Sequence, residues 1–399
     1  CGWRQRIACR MGASLPTPAI GCCSAQCTVF KAIFNRPPLV TIGFAMLPVY
    51  PFAAPPAAAE TCAVATGVHW LRMPLPFALN HINLWLLEDN DGWVIVDTGF
   101  ALDMVKDCWL QILARLANTA RGDRITRIIV THFHPDHLGL AAWLQERTGA
   151  PVAMSVGEYL TAHAVWHEIG GHGNQPMLRQ FRAHGLDEER CAALERRSGT
   201  YNRGVPTLPV SYQRLFADDR LAIGSQHWQV RIGYGHSPEH VSLYCAELGV
   251  LISGDMLLPK ISTNISVFAV TPLADSLADY LQSIDSYLDL PADTLVLPSH
   301  GLPFKGIADR VRALHEHHQE RLQILAAHCE KPRNATELLA TLFPRDLDTH
   351  QTMFAMGEAI AHLNRLERSG VLQRVDDGRG VIRFVLSGGQ KPFRQGEGR

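Results

Sequence analysis

Short apolar runs alternate with longer amphipathic segments through the middle of the chain. Residues 68–73, 82–87 and 93–96 have the length and composition of strands. Asp91-Gly92, at the start of the third run, predicts a hairpin turn. Helices are predicted at about residues 101–118 and 138–148. This alternation favours an α+β fold, an αβ/βα sandwich with two sheets between helical layers and a functional site at one edge.

The pattern changes after about residue 310. A long helix is predicted from residue 311, and further helices and two apolar strands follow it at residues 335–342, 350–368, 371–375 and 381–386. We therefore predict a helical linker and a winged-helix domain over residues 311–388, then a disordered tail at residues 389–399. The apolar positions of the last helix must be buried against the rest of the chain or against a second copy of it.

The most informative chemistry lies in residues 131–137, which read Thr-His-Phe-His-Pro-Asp-His. A strand ending just before them would place His132, His134, Asp136 and His137 in one tight loop. Imidazole nitrogen and carboxylate oxygen suit zinc, and also iron or manganese. Four such ligands exceed the need of one tetrahedral catalytic site, which keeps a position open for water. Two neighbouring metal ions and metal-assisted hydrolysis are therefore predicted.

Three further ligand-type side chains occur downstream in similar settings. His236, Asp255 and His300 each follow a short strand-like run and lie beside or near Gly or Pro, where loops begin. A strand-rich scaffold gathers ligands in this way from distant parts of a chain.

The ordered motifs resemble those of the metallo-β-lactamase-fold hydrolases. The segment Ile-Val-Asp-Thr-Gly at residues 95–99 is similar to the first motif of that superfamily, and the other four follow in order as far as His300. The resemblance implies a catalytic domain over residues 61–310 with a helical insert at about residues 157–204. The C-terminal pattern resembles the lactamase-beta-2-like and hydroxyacylglutathione hydrolase-like branch, which carries a winged-helix domain.

The same resemblance implies a role for each candidate residue. His132, His134 and His236 would hold the first metal ion, and Asp136, His137 and His300 the second. Asp255 would bridge the two ions, which would share a hydroxide that Asp136 orients for attack. Asp97 would orient the ligand loop without touching a metal. For His240, an orienting or structural role is favoured over ligation, because Glu239-His240 replaces the Gly-His pair common in relatives.

Other polar clusters have simpler interpretations. His163, His167 and His172 lack the acidic partner of a zinc-protease motif, so ordinary helix-surface histidines are expected. A solvated helix face is also expected for His315, His317 and His318. The arginines of the insert could contact substrate or simply solvent; they are Arg179, Arg182, Arg190 and Arg203.

The balance of charge argues against some partner classes. The 37 Lys and Arg against 38 Asp and Glu give a net charge of −1, which provides no strong field for nucleic acid or an anionic membrane. Residues 311–399 hold 13 basic against 11 acidic residues, a weak bias for a nucleic-acid module. We expect a structural or dimerising wing, so the partners predicted are a small acyl substrate and, as one alternative, a second copy in a homodimer.

The first sixty residues fit the rest poorly. Five of the ten cysteines fall within residues 1–27, and a disordered or non-native lead is expected over residues 1–60, with residues 1–45 dispensable. Residues 31–60 resemble a signal peptide, but four prolines interrupt the apolar run. A cytoplasmic protein with free thiols at Cys62, Cys108, Cys191, Cys245 and Cys329 is therefore favoured.

Two function classes remain open at this point. The first is a dinuclear hydrolase of small esters or thioesters, similar to hydroxyacylglutathione hydrolase. The second is a metal-dependent single-strand endoribonuclease, with lactonase or β-lactamase activity as a third possibility. Few basic residues accompany the metal motifs beyond Lys260 and Lys305, which favours the acyl substrate.

Overall fold

A computed structural model describes the chain over residues 48–388, with the exception of residues 78, 198 and 377. The predicted tail at residues 389–399 and the predicted lead as far as residue 47 lie outside the described residues.

Residues 48–60 pack on later parts of the chain. Val49 pairs with Lys305 through two backbone hydrogen bonds of 3.1 and 2.9 Å. The Phe52 ring stands edge-on to Trp70, and the buried Ala59 accepts a 2.7 Å hydrogen bond from Arg115 Nη1. The lead predicted as far as residue 60 is therefore wrong for these residues, because their apolar side chains find partners far along the chain.

The first sheet has seven strands in chain order and forms one half of the sandwich. Its strands are β1 (Cys62–Ala65), β2 (Val68–Pro74), β3 (His81–Asp89), β4 (Gly92–Val96), β5 (Ile125–Ile129), β6 (Val152–Met154) and β7 (Gln213–Arg214). Strands β1 to β4 pair antiparallel, and β4 to β7 pair parallel. Every residue of β4 is buried, as expected of a strand covered on both faces.

The β3–β4 hairpin turns one residue earlier than predicted. The turn is Asn90-Asp91, and Gly92 is already the first residue of β4. A Cβ at Gly92 would lie 2.3 Å from the carbonyl oxygen of Arg124. Glycine is required at this position because the neighbouring backbone approaches closely.

The second sheet has five strands in the order β12-β11-β10-β9-β8. Its strands are β8 (Arg220–Ile223), β9 (Gln226–Gly233), β10 (His240–Cys245), β11 (Val250–Gly254) and β12 (Leu295–Pro298). Alternate side chains of the two sheets, among them Trp70, Trp85 and Trp228, form the core between them. The opposite face of the first sheet, with Leu84, packs under helices.

Helices cover the outer faces of the sandwich. Those before residue 300 are α1 (Asp103–Leu116), α2 (Pro135–Leu138), α3 (Ala141–Thr148), α4 (Val156–Trp166), α5 (Asn174–Ala183), α6 (Glu188–Glu195), α7 (Thr200–Gly204) and α8 (Ser276–Asp285). Helix α1 packs on β2 and α8 packs on β9. Helices α4 to α7 lie in the region for which a helical insert is predicted, at about residues 157–204.

The C-terminal region follows the predicted order of helices and hairpin. It contains α9 (Ile307–His328), α10 (Leu339–Leu342), α11 (Thr349–Arg368), β13 (Leu372–Asp376) and β14 (Ile382–Leu386), with a 3-10 turn at Thr336–Leu338. Helix α9 is continuous across the domain boundary predicted at residue 310. Helix α11 contacts α6, α8, α9 and β13, so its apolar residues are buried within this chain.

Within the described part of the chain, no helix is both long and apolar enough to cross a membrane. The five cysteines there carry free thiols, and four of them are buried.

Candidate metal centre

Seven ligand-type side chains meet at one edge of the sandwich because each follows the end of a strand. The loop after β5 carries His132 and His134 and continues into α2, which holds Asp136 and His137. The other three follow strands of the second sheet: His236 follows β9, Asp255 follows β11 and His300 follows β12.

Three imidazoles form the first cluster. His132 Nε2 lies 2.9 Å from His134 Nδ1 and 3.2 Å from His236 Nε2. Two nitrogens bound to one tetrahedral zinc ion lie about 3.3 Å apart, given Zn–N bonds of about 2.0–2.1 Å. The ligand atoms of the three rings all lie within 4.8 Å of one another, and this spacing is suited to one shared cation.

The second cluster joins Asp136, His137 and His300. Asp136 Oδ2 lies 3.5 Å from His300 Nε2 and 3.7 Å from His137 Nε2. Asp255 faces both clusters. Its Oδ2 is 3.5 Å from His236 Nε2, while its Oδ1 is 3.5 Å from His300 Nε2 and 3.7 Å from His137 Nε2.

Two buried atoms at the centre lack ordinary partners. Among the described residues, neither His137 Nε2 nor Asp255 Oδ1 has a hydrogen-bond partner. Buried polar atoms are nearly always paired, and a divalent cation bound between them would satisfy both. The donor set of imidazole nitrogens and carboxylate oxygens thus fits a divalent transition metal.

The two clusters differ in the pKa values of their imidazoles. Burial lowers the pKa of His134 to about 3, so its ring is neutral at neutral pH. Burial disfavours a charge on His300, but Asp255 and Asp136 outweigh it and raise the pKa of His300 to about 10. The same carboxylates and Asp97 raise the pKa of His137 well above its usual value despite burial. A metal ion at the second cluster must therefore displace protons from these rings.

The Asp97 carboxylate contacts the ligand loop through both of its oxygens. Its Oδ2 accepts a 2.8 Å hydrogen bond from His137 Nδ1, and its Oδ1 accepts a 2.8 Å bond from the Thr131 backbone N–H. Asp97 itself has a positive φ of 62°, an uncommon backbone conformation for a residue other than glycine. These contacts fix the His137 ring with Nε2 directed at the cluster.

Three more ligand rings make an orienting contact through Nδ1, whereas His134 directs its Nδ1 at His132 within the first cluster. His236 Nδ1 bonds the Asn264 carbonyl at 2.8 Å, and His300 Nδ1 bonds the His81 carbonyl at 2.9 Å. His132 Nδ1 lies 3.0 Å from Thr131 Oγ1. Such contacts set the tautomer and direction of a ligating imidazole.

His240 lies behind Asp255. Its Nε2 accepts a 3.1 Å hydrogen bond from the Asp255 backbone N–H, and the ring is fully buried. Burial, and then the neighbouring His236, hold the pKa of His240 well below its usual value, so the ring stays a neutral acceptor. A Cβ at Gly254, which has a φ of 55°, would lie 2.4 Å from this ring. His240 therefore orients the Asp255 backbone.

The family described as the metallo-beta-lactamase superfamily matches residues 79–300, more than half of the chain. The chain belongs to the metallo-beta-lactamase superfamily. A second family, described as the metallo-beta-lactamase-like C-terminal domain, matches residues 322–387. The predicted fold and the expectation of a metal-dependent hydrolase are thereby confirmed, while the winged-helix assignment stays a prediction.

Solved structures and a curated relative agree with this placement. A beta-lactamase domain protein from Burkholderia ambifaria is 44% identical, with a TM-score of 0.78, over 85% of this chain and 98% of that one. A metallo-beta-lactamase family protein from Thermus thermophilus is 30% identical, with a TM-score of 0.69, over 81% of this chain and all of that one. A hydroxyacylglutathione hydrolase from Cereibacter sphaeroides is 26% identical over 54% of this chain and 63% of its own length.

The role of one buried carboxylate, that of Glu158, was not predicted from the sequence. Glu158 in α4 accepts hydrogen bonds from Phe133 N at 2.9 Å, Ser237 Oγ at 2.6 Å and Glu239 N at 2.7 Å. It thereby joins the loop of His132 and His134 to the loop of His236. Burial raises the pKa of Glu158 to about 7. A single glutamate in an insert helix carries no motif that would have revealed this role.

Several residues considered from the sequence lie outside the metal centre. Two arginines of the insert form exposed ion pairs, Arg182 with Glu188 and Arg190 with Asp187. The solvated face predicted around His318 is wrong for that residue. His318 is fully buried, and its Nδ1 lies 3.1 Å from Nε2 of His362 on α11.

Proposed function

We propose that the chain is a dinuclear hydrolase of small esters or thioesters, with zinc as the expected metal and iron or manganese as alternatives. The observation that carries the proposal is the Asp255 carboxylate, whose two oxygens each lie 3.5 Å from a ligand ring of a different cluster. A carboxylate between two clusters is suited to bridge a pair of metal ions about 3.5–4 Å apart.

Two sets of ligands would each hold one metal ion. His132, His134 and His236 would hold one ion, and Asp136, His137 and His300 the other. When bound, the ions would supply Lewis acidity to polarise the scissile carbonyl and lower the pKa of a water molecule. Burial opposes ionisation of Asp136, but His137 and His300 outweigh it and lower its pKa to about 2. Asp136 would therefore remain ionised and orient the attacking water by accepting a hydrogen bond from it.

Two partly buried aromatic rings, Phe268 and Phe77, support a small acyl substrate. The Phe268 ring lies 6.1 Å from Phe133, which separates His132 from His134 in the chain. On another side, the Phe77 ring lies 5.5 Å from Phe100. Such rings offer apolar contact surface to an acyl group. The likeness to a hydroxyacylglutathione hydrolase supports a thioester in particular.

Four basic side chains already have partners within the protein, which gives less support to a nuclease. Binding of a nucleic-acid backbone needs Lys or Arg free to contact phosphates. Arg182 and Arg190 are engaged in surface ion pairs, and the Lys260 ammonium lies over the Tyr50 ring at 5.7 Å. Arg310 donates to two backbone carbonyls of the loop after Asp255. Single-strand endoribonuclease activity is therefore kept as an alternative. Lactonase and β-lactamase activities are further alternatives.

A substrate panel tests the proposal. The zinc-loaded full chain is assayed on glutathione and coenzyme A thioesters, simple esters, lactones, a β-lactam and single-stranded RNA. Hydrolysis of esters or thioesters is expected to be fastest and to disappear in His134→Ala. RNA cleavage that depends on His134, without turnover of any ester or thioester, would contradict the proposal.

A further inference from the structure

A segment without helix or strand contacts both the metal centre and helix α11 of the C-terminal domain. Residues 263–275, here called the strap, lie between Asp255 and the start of α8. The Asn264 carbonyl accepts the 2.8 Å hydrogen bond from His236 Nδ1, and Thr263 Oγ1 donates to the Asp255 carbonyl at 2.5 Å. The strap therefore contacts the backbone of one candidate ligand and the ring of another.

Helix α11 holds the C-terminal end of the strap. Asn364 Nδ2 donates to the carbonyls of Pro272 and Ala274, both at 3.0 Å. Arg365 pairs with Asp275 at 3.1 Å, with both side chains largely buried. Arg368 Nη2 donates to the Leu273 carbonyl at 3.1 Å.

The contact nearest the metal centre is made by Gly357 of α11. A Cβ at this position would lie 2.5 Å from Ser266 Oγ and 2.9 Å from Ser266 Cβ. Ser266 Oγ donates in turn to Asn264 Oδ1 at 2.8 Å. A short path thus runs from the backbone of α11 through Ser266 and Asn264 to the Nδ1 atom of His236.

We propose that α11 is a positioning element of the metal centre. Because Gly357 has no side chain, the helix backbone packs closely on Ser266. The Ser266 hydroxyl bonds the side-chain amide oxygen of Asn264, and this keeps the backbone carbonyl of Asn264 against His236 Nδ1. This contact directs His236 Nε2 at the first cluster, so α11 sets the affinity of that cluster for its ion. The inference rests on the proposed dinuclear centre and gives the C-terminal domain a role in it.

The helical insert supports a different part of the strap. Gln180 of α5 donates to the Val267 carbonyl at 3.3 Å, and a Cβ at Gly171 would lie 2.7 Å from Val270 Cα. Both contacts fall after Ser266. The side chain that holds Asn264 is therefore seated by α11.

Stepwise zinc binding to the metal-free full chain tests the inference, with affinities measured by competition with a chromophoric chelator. In Gly357→Ala one of the two ions should bind about 10- to 100-fold more weakly, the usual effect of disturbing a group that orients a ligand. The other ion should bind as in the unaltered chain. Gly388→Ala, where an added methyl meets no atom within 4 Å, is the matched control.

A compensating change makes the test specific. In Gly357→Ala with Ser266→Gly, the nearest remaining Ser266 atom would be Cα at 3.4 Å, an ordinary contact. The double variant should bind zinc as Ser266→Gly does alone, and better than Gly357→Ala. If Gly357→Ala fails to fold, Arg365→Ala, which frees the strap at Asp275, should weaken the same ion.

The outcomes separate this inference from the proposed function. No zinc bound by the unaltered chain would refute the dinuclear centre itself. Two ions bound normally by the unaltered chain and equally well by Gly357→Ala would refute the role of α11 alone. Equal weakening of both ions in Gly357→Ala, without recovery in the double variant, would also refute it.

Discussion

Replacement of Glu158 by alanine should destabilise the fold, because this carboxylate is the shared acceptor of two ligand loops. The donors are Phe133 N, Ser237 Oγ and Glu239 N, at 2.9, 2.6 and 2.7 Å. Each buried donor left without an acceptor costs about 1–3 kcal/mol. The gross loss is therefore about 3–9 kcal/mol in the free energy of unfolding.

An opposing effect reduces this loss above pH 7. Burial raises the pKa of Glu158 from 4.5 to about 7, so the ionised form carries a penalty of about 3 kcal/mol at 1.36 kcal/mol per unit. The alanine variant escapes that penalty. The expected net loss at pH 8 is then about 3 kcal/mol, from the middle of the range.

The sign of the pH dependence follows from linkage. Between pH 4.5 and 7 the folded state holds a proton on Glu158 that the unfolded state has released, so this contribution to stability is lost as pH rises through 7. The difference between the unaltered chain and Glu158→Ala should therefore be larger at pH 5.5 than at pH 8, by about 2 kcal/mol.

Equilibrium urea unfolding of the metal-free full chain, followed by circular dichroism, measures both effects. Glu146→Ala, an exposed glutamate in α3, is the matched control and should change stability by less than about 0.5 kcal/mol. The reasoning is refuted if Glu158→Ala unfolds within 1 kcal/mol of the unaltered chain, on the scale of a single lost hydrogen bond.

Three further predictions follow from the same geometry. His134→Ala should abolish ester and thioester hydrolysis while circular dichroism shows an unchanged fold; retained turnover would contradict the assignment of the first cluster. Asp97→Asn removes the charge beside His137 and places an amide donor against its N–H, so one ion should bind about 10- to 100-fold more weakly in chelator competition; unchanged binding of both ions would exclude this role. With nearly balanced charge, the C-terminal domain should bind single-stranded RNA and duplex DNA only weakly at physiological salt; sub-micromolar binding in a salt-titrated assay, together with metal-dependent RNA cleavage, would favour the nuclease.

The positions of the candidate ligands could be predicted because each lies in a segment that follows a strand. An apolar run such as residues 128–130 identifies a strand without knowledge of the fold, and the next polar residues must then lie at its end. The spacing within residues 131–137 also places four side chains in one loop. Local sequence therefore carries most of the information about the centre.

The groups that orient the ligands could not be predicted in the same way. Asn264 acts through a backbone carbonyl, which every residue has, so its side chain gives no signal. Glu158 becomes an acceptor only because the fold brings three donors around it. His318 has the spacing of a helix surface, but α11 covers it. In each case the tertiary packing decides the role.

Anomalous diffraction at the zinc absorption edge, from crystals of the full chain grown with zinc, tests the central claim most directly. Two peaks are predicted, roughly 3.5–4 Å apart. One should lie among His132, His134 and His236, the other among Asp136, His137 and His300, with the Asp255 carboxylate between them. No peak within these clusters, or an Asp255 carboxylate turned away from both, would contradict the account.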